Sequence, residues 1–224
     1  MNLQTCNHDH SKRSGKNIFF SVMLALFALA ANAQYDEKDS NRIGISVGAN
    51  QFTMNSSDFD SKPGIGWTAG LSVRGNFYND FDMVYDIRFA EHNFTVESTN
   101  LALDDVDAKI HSAQISLMFS YKFIENHLSV ELGPMFQFNG KLDFDEQDEL
   151  TTIDNEGTTM KDIQEIPVFN FFPTIGVTGG VKHVRAHLFL QYGVTNMFRG
   201  LEKPAGGDIK GNGMILGGNI CFYL

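Results

Sequence analysis

From Arg42 to the end of the chain, apolar side chains recur at every second position in eight separate stretches. A period of two sets alternate side chains on opposite faces of a β-strand. The first stretch, 42–52 (RIGISVGANQF), places Ile43, Ile45, Val47 and Ala49 against Gly44, Ser46, Gly48 and Asn50. The second, 64–77, places Ile65, Trp67, Ala69, Leu71 and Val73 against Gly66, Thr68, Gly70, Ser72 and Arg74. The others cover 82–92, 112–123, 127–139, 169–181, 186–196 and 213–224. Phase is weakest in the third and eighth, where apolar residues fall on both faces. Beyond Gln34 there is no helical period and no apolar run near the roughly 20 residues of a membrane-spanning helix.

The links between stretches alternate as well. YND, IEN and KHV are tight turns, whereas 53–63, 93–110, 140–166 and 199–211 read as long polar loops. Short and long connections in turn, with an even strand count, predict an all-β fold: an eight-stranded antiparallel up-and-down transmembrane β-barrel of outer-membrane type. Because the first connection is long, strand one is expected to run outward, with both termini in the periplasm.

Two barrels could carry this alternation. A soluble barrel turns its apolar row inward around a ligand, and a membrane barrel turns it outward to lipid. The polar rows decide, because they hold Gly, Ser, Thr, Asn and Gln with Arg74, Asp86, Arg88, Lys122 and Glu131. A row so rich in glycine and serine makes a poor water-facing surface and a good lining for a narrow interior. Arg74, Arg88 and Lys122 are therefore expected to pair with Asp86 and Glu131 in a lumen ion-pair network that fills the barrel. Trp67, Phe77, Tyr78, Phe81, Tyr121, Phe123, Phe136, Phe138 and Phe222 lie toward strand ends, as interfacial aromatic girdles do. Pro134 and Pro173 fall inside strands and are expected at bulges near the rim.

Charge and the N-terminus complete the domain plan. Lys12, Arg13 and Lys16 precede an apolar run of 14 residues, Ile18 to Ala31, and then ANAQ. That is the pattern of a secretory signal peptide over 1–33. It leaves a short periplasmic segment, 34–41, ahead of the barrel over 42–224. The mature chain then has 14 Lys+Arg against 26 Asp+Glu, a net charge of -12, which excludes nucleic acid as a natural partner. Of the two cysteines, Cys6 departs with the signal, so Cys221 has no intrachain partner.

Short motifs add a resemblance. ISVGAN in the first strand, LSVELGPMF in the fifth, LFLQYGVTNM in the seventh and an aromatic-rich last strand stand out, as does a glutamine directly after the cleavage site. On these the chain resembles the PorT-type outer-membrane β-barrel family of Bacteroidota over most of residues 42–224. It departs from that pattern in ending on Leu224, after Phe222 and Tyr223, where a terminal aromatic is common. The resemblance implies an eight-stranded outer-membrane barrel and, from one relative, a part in secretion of surface proteins.

Candidate chemistry is sparse. Seven acids lie between Asp143 and Glu156, and Asp143, Asp145, Glu146, Asp148 and Glu149 offer the oxygen density of a weak cation-binding loop. The calcium-loop pattern fails, because Asp148 stands where its sharp turn needs glycine, so a solvated external loop is the preferred reading. A lipid-modifying enzyme would want a serine or aspartate beside a histidine near the outer rim, and His92 and His111 with Ser98 and Ser112 are the only such set. The sequence points instead to a non-enzyme without cofactor or metal. Its expected partners are outer-membrane lipid and an envelope or secretion-system protein, met through the external loops. A small-solute channel is the alternative.

Overall fold

In a computed structural model, residues 41–99, 104–124 and 127–224 are described. The expected signal peptide, and all of the N-terminal segment except Asn41, lie outside these residues. Eight strands close into a barrel in chain order, each antiparallel to its neighbours: β1 (Arg42–Ser56), β2 (Ser61–Tyr78), β3 (Phe81–Val96), β4 (Val106–Ile124), β5 (Leu128–Asp143), β6 (Phe169–Gly180), β7 (Val184–Tyr192) and β8 (Gly211–Tyr223). Closure comes from β1 pairing with β8, from Gly44 opposite Tyr223 to Ser56 opposite Gly211.

The register gives the stagger of the wall. Paired or abutting residues lead from Arg42 through Arg74, Val84, Met118, Gly133, Thr174, Gln191 and Ile215, and return to β1 at Phe52, ten residues along. Such a stagger tilts the strands strongly, and eight strands leave an interior that side chains can fill. Some fillers need a missing Cβ opposite them. A Cβ on Gly217 would sit 2.3 Å from the Phe189 ring, so glycine there admits the ring to the lumen.

Alternation decides the faces as the sequence predicts. Ile45, Val47, Leu71, Ile87, Phe119, Leu132, Ile175, Leu188 and Ile220 point out of the barrel, while Ser46, Ser72, Arg88, Ser120, Glu131, Thr174 and Asn219 are buried inside it. Aromatic rings gather at two levels. Phe81, Tyr121 and Phe123 pack near the tight turns, with centroids 5.1 and 5.0 Å apart. Phe136, Phe138, Phe169 and Phe171 pack toward the long loops, at 5.4–5.9 Å. Asn79, with φ 44°, makes the tight turn from Tyr78 to Phe81, a conformation asparagine tolerates.

Three expectations need correction. The first five strands are longer than predicted, up to 19 residues in β4, and most of the supposed loop 53–63 and half of 93–110 is strand. The reason is an exchange of polarity between the faces. On β3 the outward positions Glu91, Asn93 and Thr95 are polar and the inward Phe94 and Val96 are buried. On β4 the outward Asp107, Lys109 and His111 oppose the buried Val106, Ala108 and Ile110. The wall thus continues beyond the bilayer with its apolar side turned inward. The seventh strand is shorter than expected, ending at Tyr192.

The prolines are not at bulges. Pro134 and Pro173 lie opposite each other across β5 and β6. On their other sides the ladders are interrupted: β4 and β5 have no paired residues between Ser116–Met135 and Phe119–Leu132, and β6 meets β7 only from Thr174. A residue without an N–H fits where no ladder bond is asked of it.

Candidate functional site: the lumen and its cap

The interior is layered. Nearest the tight turns lies a charged layer. Arg74 donates from Nη1 to Asp82 Oδ2 at 3.2 Å and to Ser120 Oγ at 2.9 Å, and from Nη2 to Glu131 Oε1. Lys122 Nζ is 3.3 Å from Asp82 Oδ1, and His187 Nε2 is 3.3 Å from Glu131 Oε2. Arg185 donates to Ser129 Oγ at 3.1 Å, and the Ser72 and Tyr223 hydroxyls are 2.9 Å apart. Arg74 is 4% exposed and Glu131 1%. Buried charge of this kind persists only when paired.

Of the five residues expected in a network, Arg74, Lys122 and Glu131 come together, through Asp82. Asp86 and Arg88 are also buried inside but sit apart from that cluster's bonds. Asp86 accepts from Ser116 Oγ at 3.3 Å. Arg88 lies over the Phe189 ring, 4.9 Å from its centroid, and reaches the Asn219 amide oxygen at 2.7 Å once that amide is turned to satisfy its neighbours. Sequence reasoning missed Asp82 and gave His187 no charged role. Parity alone could have placed Asp82 on the inward row with Asp86.

Above the charges runs a chain of neutral groups across five strands. His92 Nδ1 meets Asn50 Oδ1 at 2.8 Å, and the Gln114 amide approaches His92 Nε2 at 3.2 Å. With Gln114 donating there, His92 carries its proton on Nδ1. Gln114 donates to Gln137 at 3.0 Å, Gln137 to Asn139 at 2.7 Å, Asn139 to Asn170 at 2.6 Å, and Asn170 to Thr195 at 2.9 Å.

Over this layer stands an apolar plug. Phe52, Met54, Phe94, Val96, Val106, Ile110, Leu142, Phe172 and Ile215 come from the strands. Phe59, Ile153, Met160, Ile163, Ile166, Met197, Phe198 and Ile209 come from the connections. Each such side chain contributes about 1.5–3 kcal/mol when fully buried. The acidic connection is therefore not simply a solvated loop. Asp154 is buried in it and accepts from the Thr158 and Glu156 N–H groups at 2.8 and 2.9 Å, the other acids are at least partly exposed, and Ile153, Met160 and Ile163 anchor it in the barrel mouth. Short 3-10 turns at Glu146–Asp148 and Met160–Ile163 shape it, the second closed by a reciprocal cap between Thr159 and Asp162.

Polar bonds sew the connections together. Lys203 Nζ lies 2.8 Å from Asp58 and 3.1 Å from Glu156, tying three of them. The Lys210 N–H donates to Asp58 at 2.8 Å, and the Thr99 N–H to Thr152 O at 3.1 Å. Desolvation alone would raise the Asp58 carboxyl, but the Lys203 hydrogen bond and the Lys210 N–H outweigh it and hold it below its ordinary value. Asp58 and Glu156 in turn raise the Lys203 ammonium.

Asp143 ends β5, Glu149 pairs with Lys161 at 2.9 Å, and among the described residues no three His, Cys, Asp or Glu side chains group as metal ligands would. His92 and Ser112 face the lumen whereas His111 is exposed outside, so the wall separates His111 from the other two.

An outward apolar band, a polar filled interior and a closed wall define a transmembrane barrel of the outer-membrane type. Residues 32–199 match the family model described as outer membrane protein beta-barrel domain, and the chain belongs to that family. Among solved structures it is similar to Neisserial surface protein A (13% identity, TM-score 0.49, 82% of this chain and 99% of that one). It is also similar to OprG from Pseudomonas aeruginosa (13%, 0.49, 83% and 95%). A third is Ail of Yersinia pestis, solved in complex with the heparin analogue sucrose octasulfate (12%, 0.42, 82% and 99%). No curated protein matches the chain.

Proposed function

We propose that this barrel is a non-conducting interaction protein of the cell surface, or a secretion accessory, that works through its capped loop end. In this reading both termini are periplasmic, the cap faces outward, and the chain is a PorT-type member of its family. The observation that carries it is the double closure of the lumen. The charged layer around Arg74 and Glu131 fills one half, and the apolar plug around Phe52 and Ile163 seals the other. A solute would have to break both. The exposed surface of the cap is then what a partner can meet, and Leu150, 76% exposed beside Asp148 and Glu149, is its most prominent apolar point among the described residues. Planar-bilayer recording of the purified protein tests closure: silence is expected, and steady openings reproducible between preparations would favour a channel. Photo-crosslinking from position 150 in the native envelope is expected to capture a protein partner.

A further inference from the structure

We propose that the lipid-facing wall carries a binding groove for one acyl chain of a membrane lipid, on β3, β4 and β5 where the apolar band meets water. Register builds it. Phe89 pairs with Ala113, and Ala113 with Phe138, so two phenyl rings stand on either side of a methyl floor one residue wide. Trp67, 48% exposed, closes the far side from β2. The space between these side chains is about 440 Å³ and opens outward.

A bulge opens its upper end. Between Ser112–Asn139 and Ile110–Leu142, β4 spends one residue, His111, where β5 spends two, Gly140 and Lys141. Gly140 lines the groove, and a Cβ there would meet only the His111 carbonyl, at 3.4 Å. The absent side chain leaves the mouth clear. At that mouth His111 Nδ1 lies 3.8 Å from Glu91 Oε2, a donor and acceptor side by side.

The occupant follows from position. The groove is continuous with the surface that the bilayer covers, and its long axis runs from apolar walls to a polar pair. A membrane lipid makes the same transition at the same level, from acyl chain to ester and headgroup. Small floor residues alone would not select a chain; the flanking rings and the polar head of the groove do. The inference needs only the membrane barrel, not the surface role proposed above.

Trp67 is the chain's only tryptophan and reports the groove directly. The test titrates phosphatidylethanolamine with brominated acyl chains into the full barrel in detergent micelles. Quenching of Trp67 is expected to saturate at one lipid per barrel. Ala113→Phe, which fills the floor, should abolish the saturating phase, and Gly140→Leu, which narrows the mouth, should weaken it several-fold. Heat-modifiable migration checks that each variant is folded, and Gly140 has room for a side chain should Ala113→Phe fail to fold. A control with Trp67→Phe and Ile175→Trp moves the reporter to a lipid-facing site on β6. Quenching that rises in proportion to lipid, equally at both positions, would overturn the proposal. So would saturation unchanged in both groove variants, or a mass showing a second barrel at the groove in place of lipid.

Discussion

Phe89 and Phe94 lie on one strand, five residues apart, and point to opposite sides of its wall: Phe89 is 65% exposed and Phe94 2%. Between them the strand leaves the bilayer. Below that level the apolar face looks at lipid; above it, the apolar face looks inward at Phe52, whose ring centroid is 5.4 Å from that of Phe94.

Truncating the two rings should therefore have unequal effects. Phe94→Ala empties a packed site and is expected to cost about 3–5 kcal/mol. Phe89→Ala removes a ring that only lipid covers, and less than half that cost is expected. Urea unfolding of the two variants in lipid vesicles measures the difference. Equal losses would mean that β3 does not change environment along its length.

Mid-wall, adjacent residues of β2 should separate just as sharply. Leu71 faces lipid, and arginine at the bilayer midplane costs about 2–4 kcal/mol, so Leu71→Arg should impair assembly. Ser72→Ala loses one hydrogen bond, to Tyr223, worth about 0.5–1.5 kcal/mol. Yield of heat-modifiable barrel reads both.

The lumen pair allows a test of charge. Arg74→Ala leaves Glu131 and Asp82 buried without their shared guanidinium, and removing one partner of a buried pair costs about 3–5 kcal/mol. Arg74→Met combined with Glu131→Gln should recover a large part of that loss, because the stranded carboxylate goes too. A double variant no more stable than Arg74→Ala would place the effect elsewhere.

The cap should respond to pH at both extremes. Asp58 is held below its ordinary value of 3.8, so its contribution is fully present above that pH and fades as pH falls through the lower folded value. Lys203 is held above 10.5, so its contribution is full below that pH and fades as pH rises through the higher folded value. The protection of the Lys210 amide against hydrogen exchange, relative to an unstructured amide at the same pH, is expected to hold between these limits and fall outside them. Lys203→Met should remove both effects, leaving exchange at β2 and β3 unchanged.

Strand number, order and sidedness were legible because lipid enforces one simple rule over the middle of every strand. Arg74, Lys122 and Glu131 were legible as inward charges for the same reason. The upper wall was not, since Phe94, Val96, Val106, Ala108 and Ile110 carry the alternation in the opposite phase, which in a sequence resembles the end of a strand. Ile153, Met160 and Ile163 were hidden differently. They have no period, and they lie among acids whose density dominates the reading. Asp82 was overlooked at the margin of a segment, next to a turn.

The plug draws residues from six strands and from connections between them. No hairpin, and no half of the barrel, contains enough of it to form alone. During assembly the cap must therefore be the last part to acquire structure, after β1 has found β8. Once it has, prising the wall apart at any seam exposes the plug to water, so ring and cap fail together. The described part of the loop end is then not a set of tethered arms but a platform held by its own plug, and in the proposed reading its shape exists before any partner arrives.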